Sequence, residues 1–446
     1  MTDLLNSIDS VVWGPAMLVL ILGTGLYLQI RLRGMPLLMI GQGFRMIWKG
    51  RKSDTGHGEV SPFSALMTCL AATIGVGNVV GVATAIAIGG PGAVFWMWMT
   101  ALVGMATKYA EVVVAVQFRE RDEEGRYVGG PMYAIRNGMG KQWKWLGIAF
   151  AIFGGIAGFG IGNMVQANSI ADAVEGAFGI NHTTTGIALL IITAAVVLGG
   201  IKRIAAVADF LVPFMAIAYF LGGIAVLATH ASAIPSAFAL IFTSAFTGTA
   251  ATGGFTGAAM IAAIRYGVAR GVFANEAGLG TAGIAQAAGA SNNVIKSGLV
   301  GMMGTFLDTF VICTVTGLSI VISGVWTTGK SGAELTQLAF SSTMPGFGNT
   351  YVAVILAVFA LTTIFGWGYY GERCWQFLLG KWTILPYRII WTLLVFVGAT
   401  IQMETVWTIA DILNALMAIP NLISLLVLAP LVVQLTNTHL RKVLTE

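Results

Sequence analysis

The chain has 446 residues, of which 57% are hydrophobic and 10% are charged, and its mean hydropathy is +0.83. Soluble domains of this length do not have such a composition, so we expect a single membrane domain, 1–446, that crosses the lipid bilayer many times. The net charge of +5 is then a topology signal and not a sign of nucleic-acid binding. The three cysteines and four histidines form no metal motif or disulfide framework, and we expect no cofactor.

Apolar stretches long enough to cross a membrane recur along the chain, and each is predicted to be a transmembrane helix. The eleven predicted spans are 11–30, 62–88, 92–118, 146–170, 185–201, 207–229, 238–264, 297–325, 350–379, 385–401 and 408–435. Lysines and arginines concentrate on alternate connections, including Arg265 and Arg270 after the seventh span. This alternation predicts an outside N-terminus and a cytoplasmic C-terminus in the plasma (inner) membrane.

The order of the spans predicts an internal symmetry. The first span and its cytoplasmic connection (1–61) precede ten spans, which divide into two sets of five. The second span enters from the cytoplasm and the seventh from outside. The segments 62–229 and 238–435 are therefore predicted to be inverted repeats.

The first span of each repeat contains residues that weaken a helix. The second span has the run Ala71-Ala72-Thr73-Ile74-Gly75-Val76-Gly77-Asn78, with two glycines near its centre. Close helix packing is the alternative explanation for such small residues. The seventh span has four glycines and four threonines within 246–257, which predicts a second break near 247–257. Paired interruptions at corresponding positions point to a transport site near the midplane.

Several motifs together resemble the alanine or glycine:cation symporter family over nearly the whole chain. They are Gly75-Val76-Gly77-Asn78, Gly89-Gly90-Pro91-Gly92-Ala93-Val94-Phe95-Trp96-Met97-Trp98, Gly129-Gly130-Pro131-Met132-Tyr133, Asn163-Met164-Val165-Gln166, Asn275-Glu276-Ala277-Gly278-Leu279-Gly280 and Gly366-Trp367-Gly368-Tyr369-Tyr370-Gly371-Glu372. That family is similar to a wider group with a five-plus-five inverted-repeat fold, which includes the neurotransmitter:sodium symporters. The resemblance implies uptake of small neutral amino acids, alanine or glycine, with a cation, usually sodium, by alternating access.

Three other functions are considered at this point. One is a proton-coupled carrier, or a carrier of glutamine or another neutral amino acid, with the same fold. A channel is disfavoured by the two broken helices and the absence of a polar pore stripe. A membrane enzyme is not expected because the sequence has no metal cluster and no nucleophile–base pair. The predicted partners are therefore a small amino acid, Na⁺ and the lipid bilayer.

The first break suggests roles for individual residues. The amides of Gly75 and Gly77 are predicted to meet the substrate carboxylate, and the Thr73 carbonyl the ammonium group or a cation. The resemblance implies that Asn78 binds sodium through its amide oxygen and that Gln166 lies against the substrate carboxylate. Phe246 and Phe255, in the second break, are candidates for an apolar lid over the substrate.

The ninth span carries a further group of candidates. Phe359, Thr362 and Thr363 share one helical face because they are spaced i, i+3, i+4. The resemblance implies a second sodium site here, with the carbonyls of Ala71 and Ile74 opposite. The alternative is that each threonine bonds its own helix backbone.

Two residues on this face have further predicted roles. Thr363 is also a candidate for the substrate ammonium. Trp367 follows one turn later, where its bulk would limit the size of the substrate side chain.

Charged residues inside spans require partners. Lys108 and Glu111 are spaced i, i+3 and are expected to pair with each other. Asp308 and Asp411 are expected to be structural hydrogen-bond acceptors or parts of a gate or proton path. The absence of an acidic residue from 75–78 favours sodium over a proton at the break.

Overall fold

The protein is almost entirely helical in a computed structural model that describes residues 2–50, 58–247, 256–291, 293–401 and 404–445. The helices up to the middle of the chain are α1 (Thr2–Val12), α2 (Pro15–Arg31), α3 (Met35–Leu38), α4 (Ile40–Gly50), α5 (Pro62–Thr73), α6 (Val82–Gly89), α7 (Gly92–Gln117), α8 (Pro131–Ala134), α9 (Lys144–Ala157), α10 (Val165–Phe178), α11 (His182–Val197) and α12 (Gly200–Thr229). The remaining helices are α13 (Ile234–Thr247), α14 (Thr256–Asn275), α15 (Thr281–Ala287), α16 (Val294–Thr305), α17 (Thr314–Ser323), α18 (Gly332–Ser341), α19 (Gly348–Leu379), α20 (Ile384–Thr400) and α21 (Glu404–Thr445).

Shorter elements connect or interrupt these helices. Segments of π-helix occur at Gly77–Gly81, Ile135–Met139, Gly158–Met164 and Phe306–Cys313, and 3₁₀ turns at Lys141–Trp143, Ala231–Ala233, Val325–Thr328 and Lys381–Thr383. A small antiparallel hairpin, β1 (Glu120–Arg121) and β2 (Tyr127–Val128), follows α7. π-Helical turns inside helices are often found at functional sites, and two of these interruptions adjoin the candidate site described below.

The described helices agree with most of the predicted spans. Eight are long and apolar enough to cross a membrane, and a ninth crossing is formed if the bent pair Pro62–Thr73 and Gly77–Gly89 is one span. The shorter apolar helices α11 and Ala231–Thr247 lie at two further predicted positions. The predicted total of eleven is therefore not confirmed within the described part of the chain, and the bounds of the two inverted repeats stay a prediction.

The predicted seventh span differs most from the structure. Helices α13 and α14 flank 248–255, so most of the predicted second break lies outside the described residues. Helix α14 continues to Asn275, well beyond the predicted end at residue 264. The prediction ended too early because Arg265 and Arg270 interrupt the apolar pattern, although both lie within the helix.

The placement of these two arginines on a cytoplasmic connection was wrong. Arg270 forms an ion pair with Asp411 near the start of α21, at 2.9 Å, and Arg265 lies 3.7 Å from Asp9 in α1. Both acids are on stretches that the charge alternation assigns to the outside. Neighbouring carboxylates can neutralise arginines within a transmembrane helix, so such arginines need not mark a loop.

The break in the second span is confirmed. Helix α5 ends at Thr73, Ile74 is extended with ψ 96°, and the helix resumes at Gly77 with a bend of 51°. Helix α5 packs against α12 and α19, while α6 packs against α14. This packing buries the break at the centre of the helix bundle.

Candidate functional site

Carbonyl oxygens from two helices converge on the hydroxyl of Thr363. The Thr363 Oγ1 atom lies 3.3 Å from the Ala71 carbonyl oxygen and 3.4 Å from that of Ile74, both beside the break. The carbonyl oxygen of Phe359, one turn earlier in α19, lies at 3.1 Å. Ile74 turns its carbonyl towards α19 because its extended backbone cannot continue the hydrogen bonding of α5. The result is a compact group of oxygen atoms, the kind of ligand that hard cations prefer.

The second predicted threonine is placed differently. The Thr362 hydroxyl donates to the Phe359 carbonyl at 2.8 Å and contacts the Met215 sulfur of α12 at 3.5 Å. It therefore shares the Phe359 oxygen with Thr363, and its other contact is with α12. Both hydroxyls also contact their own helix backbone, as the alternative interpretation expected.

Side-chain amides hold the backbone amides of the break. Gly75 N donates to Asn78 Oδ1 at 2.9 Å, and Val76 N donates to Gln166 Oε1 at 3.2 Å. Gln166 is oriented by a hydrogen bond from its Nε2 to the Ile161 carbonyl, within the π-helical segment that precedes α10. Breaking the helix thus frees two adjacent donors, and two neutral amide oxygens accept from them.

The two glycines of the break have different surroundings. A β-carbon at Gly75 would collide with Thr363 Oγ1 and lie 3.1 Å from Gln166 Oε1, so glycine is required for the two helices to approach. A β-carbon at Gly77 would lie 2.8 Å from the ring of Phe273 and 3.1 Å from Ala274 Cα. Close packing against α14 therefore explains Gly77. Gly75 instead lies in the group of polar atoms around the break, beside Thr363 and Gln166, which we call the cluster.

Thr73 and Asp308 complete the surroundings of the break. The Thr73 hydroxyl donates to the Cys69 carbonyl of its own helix at 2.8 Å. Asp308, fully buried, accepts from Asn78 Nδ2 at 2.5 Å and from Thr309 Oγ1 at 2.9 Å. The segment 75–78 contains no acidic residue, but Asp308, which is distant in sequence, brings a carboxylate to Asn78.

Trp367 is buried beside this cluster. It is 2% exposed, its indole packs on Gly162, and its Nε1 donates to Glu276 Oε1 at 2.7 Å. Gly162 belongs to the same π-helical segment that leads to Gln166. The indole thus lies near both α19 and the start of α10, as a wall of the predicted pocket would.

Phe246 is not part of the buried cluster. Its ring is 58% exposed and makes aromatic contacts with Phe95 and Trp96 of α7, at centroid distances of 5.1 and 6.0 Å. Phe255, its counterpart across the predicted second break, lies outside the described residues. The predicted role of Phe246 over the substrate has no support from these contacts.

The expected pair of Lys108 and Glu111 is not formed. Lys108 Nζ is buried and has no hydrogen-bond partner in the described part of the chain. Glu111 Oε1 instead accepts from the amides of Gly278 and Gly280 and from Asn421 Nδ2, at 2.8, 3.0 and 2.8 Å. Backbone amides satisfy a buried carboxylate better than a lysine in the adjacent turn, because the loop brings them to it in a preformed geometry.

A cavity of about 770 Å³ lies on the side of the protein where Asp9 lies, and we call it the Asp411 vestibule. Its lining residues are Asp9, Val80, Gly81, Thr84, Ile88, Asn168, Ser169, Asp172, Tyr266, Arg270, Ser331, Ala333, Trp407, Thr408 and Asp411. The Arg270–Asp411 ion pair borders it, and Phe273 stacks on Trp407 at 5.9 Å. The sequence did not predict the residues that line this vestibule. The one indication in the sequence was that Asp411, an acid inside a span, would need a basic partner.

Comparison with known proteins identifies the family. A family model described as the sodium:alanine symporter family matches residues 1–446. The chain belongs to the sodium:alanine symporter family. It is similar to the sodium/alanine symporter AgcS of Methanococcus maripaludis, with 50% identity over 98% of this chain and 96% of that protein. It is also 35% identical to the probable sodium/glutamine symporter GlnT of Bacillus subtilis, over 97% and 90% of the respective chains.

A solved structure confirms the fold of this family member. The crystal structure of MhsT in complex with L-phenylalanine matches with a TM-score of 0.59 and 14% identity, covering 84% of this chain and 98% of MhsT. The fold is thus that of the neurotransmitter:sodium symporters. This symporter-family chain is a multi-pass membrane transporter and not an enzyme.

Proposed function

We propose that the protein is a sodium-coupled importer of small neutral amino acids, alanine or glycine, that works by alternating access in the plasma (inner) membrane. Its N-terminus is outside and its C-terminus cytoplasmic, so the Asp411 vestibule opens to the outside. Substrate and cation bind at the break between α5 and α6, and the two inverted repeats then rearrange around them.

The observation that carries this proposal is the group of oxygens around Thr363 Oγ1. Three carbonyl oxygens from α5 and α19 lie within 3.4 Å of it. A sodium ion at this point would replace the hydroxyl hydrogen bonds with oxygen coordination from both helices. Because the ligands come from two helices, cation binding would stabilise only conformations in which α5 and α19 are close, which is the coupling that a symporter requires.

The sequence predicted that the substrate carboxylate meets the amides of Gly75 and Gly77. We assign it to those of Gly75 and Val76, because both donate hydrogen bonds at the break while Gly77 packs against Phe273. Their present acceptors, Asn78 and Gln166, contribute neutral amide oxygens at 2.9 and 3.2 Å. A carboxylate is a stronger acceptor for backbone amides than an amide oxygen is. The N-terminal end of the half-helix that resumes at Gly77 also favours negative charge. Asn78 would then be released to place its oxygen on a sodium ion. The Thr73 carbonyl is assigned to the substrate ammonium or a cation, and the substrate ammonium is the alternative ligand of Thr363.

The sodium gradient can drive concentrative uptake. An inward potential of ~100 mV contributes about 2.3 kcal/mol for one positive charge. A tenfold sodium gradient contributes about 1.4 kcal/mol more. One sodium ion per zwitterionic amino acid would support roughly 500-fold accumulation.

An alternative within the same fold has its own support. Asp308 places a carboxylate beside Asn78, and a proton could occupy that acid. One relative is named a probable sodium/glutamine symporter, and another, 35% identical, a putative sodium/proton-dependent alanine carrier. Proton coupling and glutamine transport are therefore the alternatives to test.

Purified protein in proteoliposomes distinguishes these possibilities. We expect labelled alanine or glycine to accumulate when a sodium gradient is imposed and not when only a proton gradient is imposed. Labelled glutamine is tested under the same gradients to distinguish the two proposed substrates. Counterflow of trapped label then distinguishes a carrier from a channel. Accumulation driven by protons in the absence of sodium would contradict the sodium assignment.

A further inference from the structure

We propose that Glu276 is a specificity-determining positioning residue, which fixes the Trp367 indole through the hydrogen bond at its Nε1. The inference rests on the proposed function, in which Trp367 limits the size of the substrate side chain. Sequence reasoning assigned no role to Glu276 beyond its place in a family motif. The structure gives it contacts that a loop residue does not ordinarily have.

The backbone at Glu276 has a conformation that residues with long side chains seldom adopt. Glu276 follows the last residue of α14 and has φ +56°, in the left-handed region that a β-carbon disfavours. Gly278 and Gly280, two and four residues later, also have positive φ, of 99° and 79°. A glutamate at the first of these positions indicates that its side chain has a use that offsets the strain.

Both oxygens of this side chain are used within the protein interior. Oε1 accepts from Trp367 Nε1 at 2.7 Å, and Oε2 accepts from Thr281 Oγ1 at 2.6 Å. Glu276 and Trp367 are each 2% exposed, so water does not compete for the bond. A bond from an indole to a buried carboxylate restrains the ring directionally, whereas packing alone permits several tilts.

The loop that carries Glu276 is itself anchored. Glu111 of α7 accepts from the Gly278 and Gly280 amides, and Asn421 of α21 bonds both Glu111 and the Gly278 carbonyl. The position of the indole is therefore set by α7, α14 and α21 as well as by its own helix.

A second buried tryptophan shows that the bond is not a general requirement of buried indoles in this protein. Trp391 is fully buried, and its Nε1 has no hydrogen-bond partner in the described part of the chain. It packs beside Gly158 and Gly368, next to the same π-helical segment that contacts Trp367. An indole in this region can thus be held by packing alone, which makes the carboxylate at Trp367 a specific feature.

The test measures size selectivity in proteoliposomes that take up labelled alanine. Unlabelled leucine and methionine compete, and the ratio of their inhibition constants to that of alanine is the readout. Glu276→Met removes the acceptor at nearly constant volume, and we expect the ratio to fall by about tenfold. Glu276→Gln keeps an acceptor oxygen, and we expect it to retain the wild-type ratio.

Trp367→Phe provides an independent arm that leaves Glu276 in place. It keeps an aromatic ring without the N–H group, and we expect a fall similar to that of Glu276→Met, with no further fall in the double variant. Trp391→Phe is the matched control and should leave the ratio unchanged. A simple loss of folding would lower uptake of every substrate together and would not change the ratio.

Each contrary outcome has a distinct meaning. An unchanged ratio in Trp367→Phe, or in a correctly inserted Glu276→Met, would overturn the positioning role, because the hydrogen bond would then have no effect on selectivity. An unchanged ratio in Trp367→Ala would overturn the proposal together with the size wall itself. Sodium-driven alanine uptake by the wild-type protein is measured in the same vesicles, so failure of the proposed function would be seen separately.

Discussion

Asn78 Nδ2 donates to Asp308 Oδ1 at 2.5 Å, although the two residues are 230 positions apart in the chain. The bond fixes the Asn78 amide so that its oxygen faces the Gly75 amide at the break. Asp308 thus orients the residue that is assigned to sodium.

Asp308→Asn should weaken sodium binding. The variant keeps the size of the side chain but replaces a charge-assisted bond with a neutral one, at a cost of about 1.5–3 kcal/mol. We therefore expect the half-saturating sodium concentration to rise by about tenfold or more. Alanine uptake measured against sodium concentration is the assay, and Asp411→Asn, in the vestibule, is the control for loss of a paired carboxylate elsewhere in the protein. An unchanged sodium dependence in Asp308→Asn would show that the acid is only structural.

Thr363→Ala should raise the half-saturating sodium concentration more than Thr362→Ala does. The Thr363 hydroxyl lies among oxygens of α5 and α19, whereas that of Thr362 contacts α12. Both variants remove the same atoms from neighbouring positions, so each controls for the other. A larger effect of Thr362→Ala would move the second cation site away from the Ala71 and Ile74 carbonyls.

Gly77→Val should abolish uptake because the added side chain collides with α14. A β-carbon would already lie 2.8 Å from the Phe273 ring, and overpacking of this kind costs about 1–3 kcal/mol. Gly23→Val is the matched control, since nothing lies within 4 Å of a β-carbon at Gly23. Near-normal uptake by a well-expressed Gly77→Val would mean that this contact is not needed for transport.

Trp367→Ala should admit leucine-sized substrates and weaken alanine uptake. Alanine buries a single methyl group, which contributes only about 0.8 kcal/mol, so its affinity depends on the ammonium and carboxylate that all amino acids share. Selectivity must then come from exclusion of larger side chains. Competition by unlabelled leucine or methionine against labelled alanine is the measurement. If larger amino acids remain excluded from an active variant, the indole is a packing residue.

Asp122→Asn should destabilise the hairpin that follows α7. Burial raises the pKa of Asp122, but hydrogen bonds from the Arg126 side chain and backbone and from Gln376 outweigh it and lower that pKa below its ordinary value. A depressed carboxyl pKa stabilises the fold above the unfolded-state pKa of about 3.9, and this stabilisation is lost as the pH falls through the folded-state pKa. We expect a loss of about 1 kcal/mol at neutral pH.

Thermal unfolding in detergent between neutral and acid pH measures this effect. The curves of wild type and Asp122→Asn should converge in acid, because the wild-type carboxyl is then protonated. Glu124→Gln is the control, since Glu124 pairs with the same Arg126 but its side chain is 51% exposed. A constant difference between wild type and Asp122→Asn at every pH would assign the effect to packing and not to charge.

Part of the candidate site could be predicted because it depends on local pattern. A pair of glycines in an apolar run weakens a helix wherever it occurs, and the break between Thr73 and Gly77 was confirmed. Spacing alone shows that Thr362 and Thr363 share a helical face. Only the packing of the helices shows that Thr363 contacts α5 while Thr362 contacts α12. Sequence spacing defines which residues share a face and leaves open what each one meets.

The sequence by itself determined that this is a helical membrane protein and where its second span is interrupted, because hydropathy and glycine content act within a single segment. Only the tertiary structure decided the partners of the buried charges. Glu111 turned away from nearby Lys108 to the Gly278 loop, Arg270 joined Asp411, and Glu276 reached Trp367. In a bilayer each buried charge must find a complementary group, and the nearest in space is set by how helices pack and not by their order in the chain.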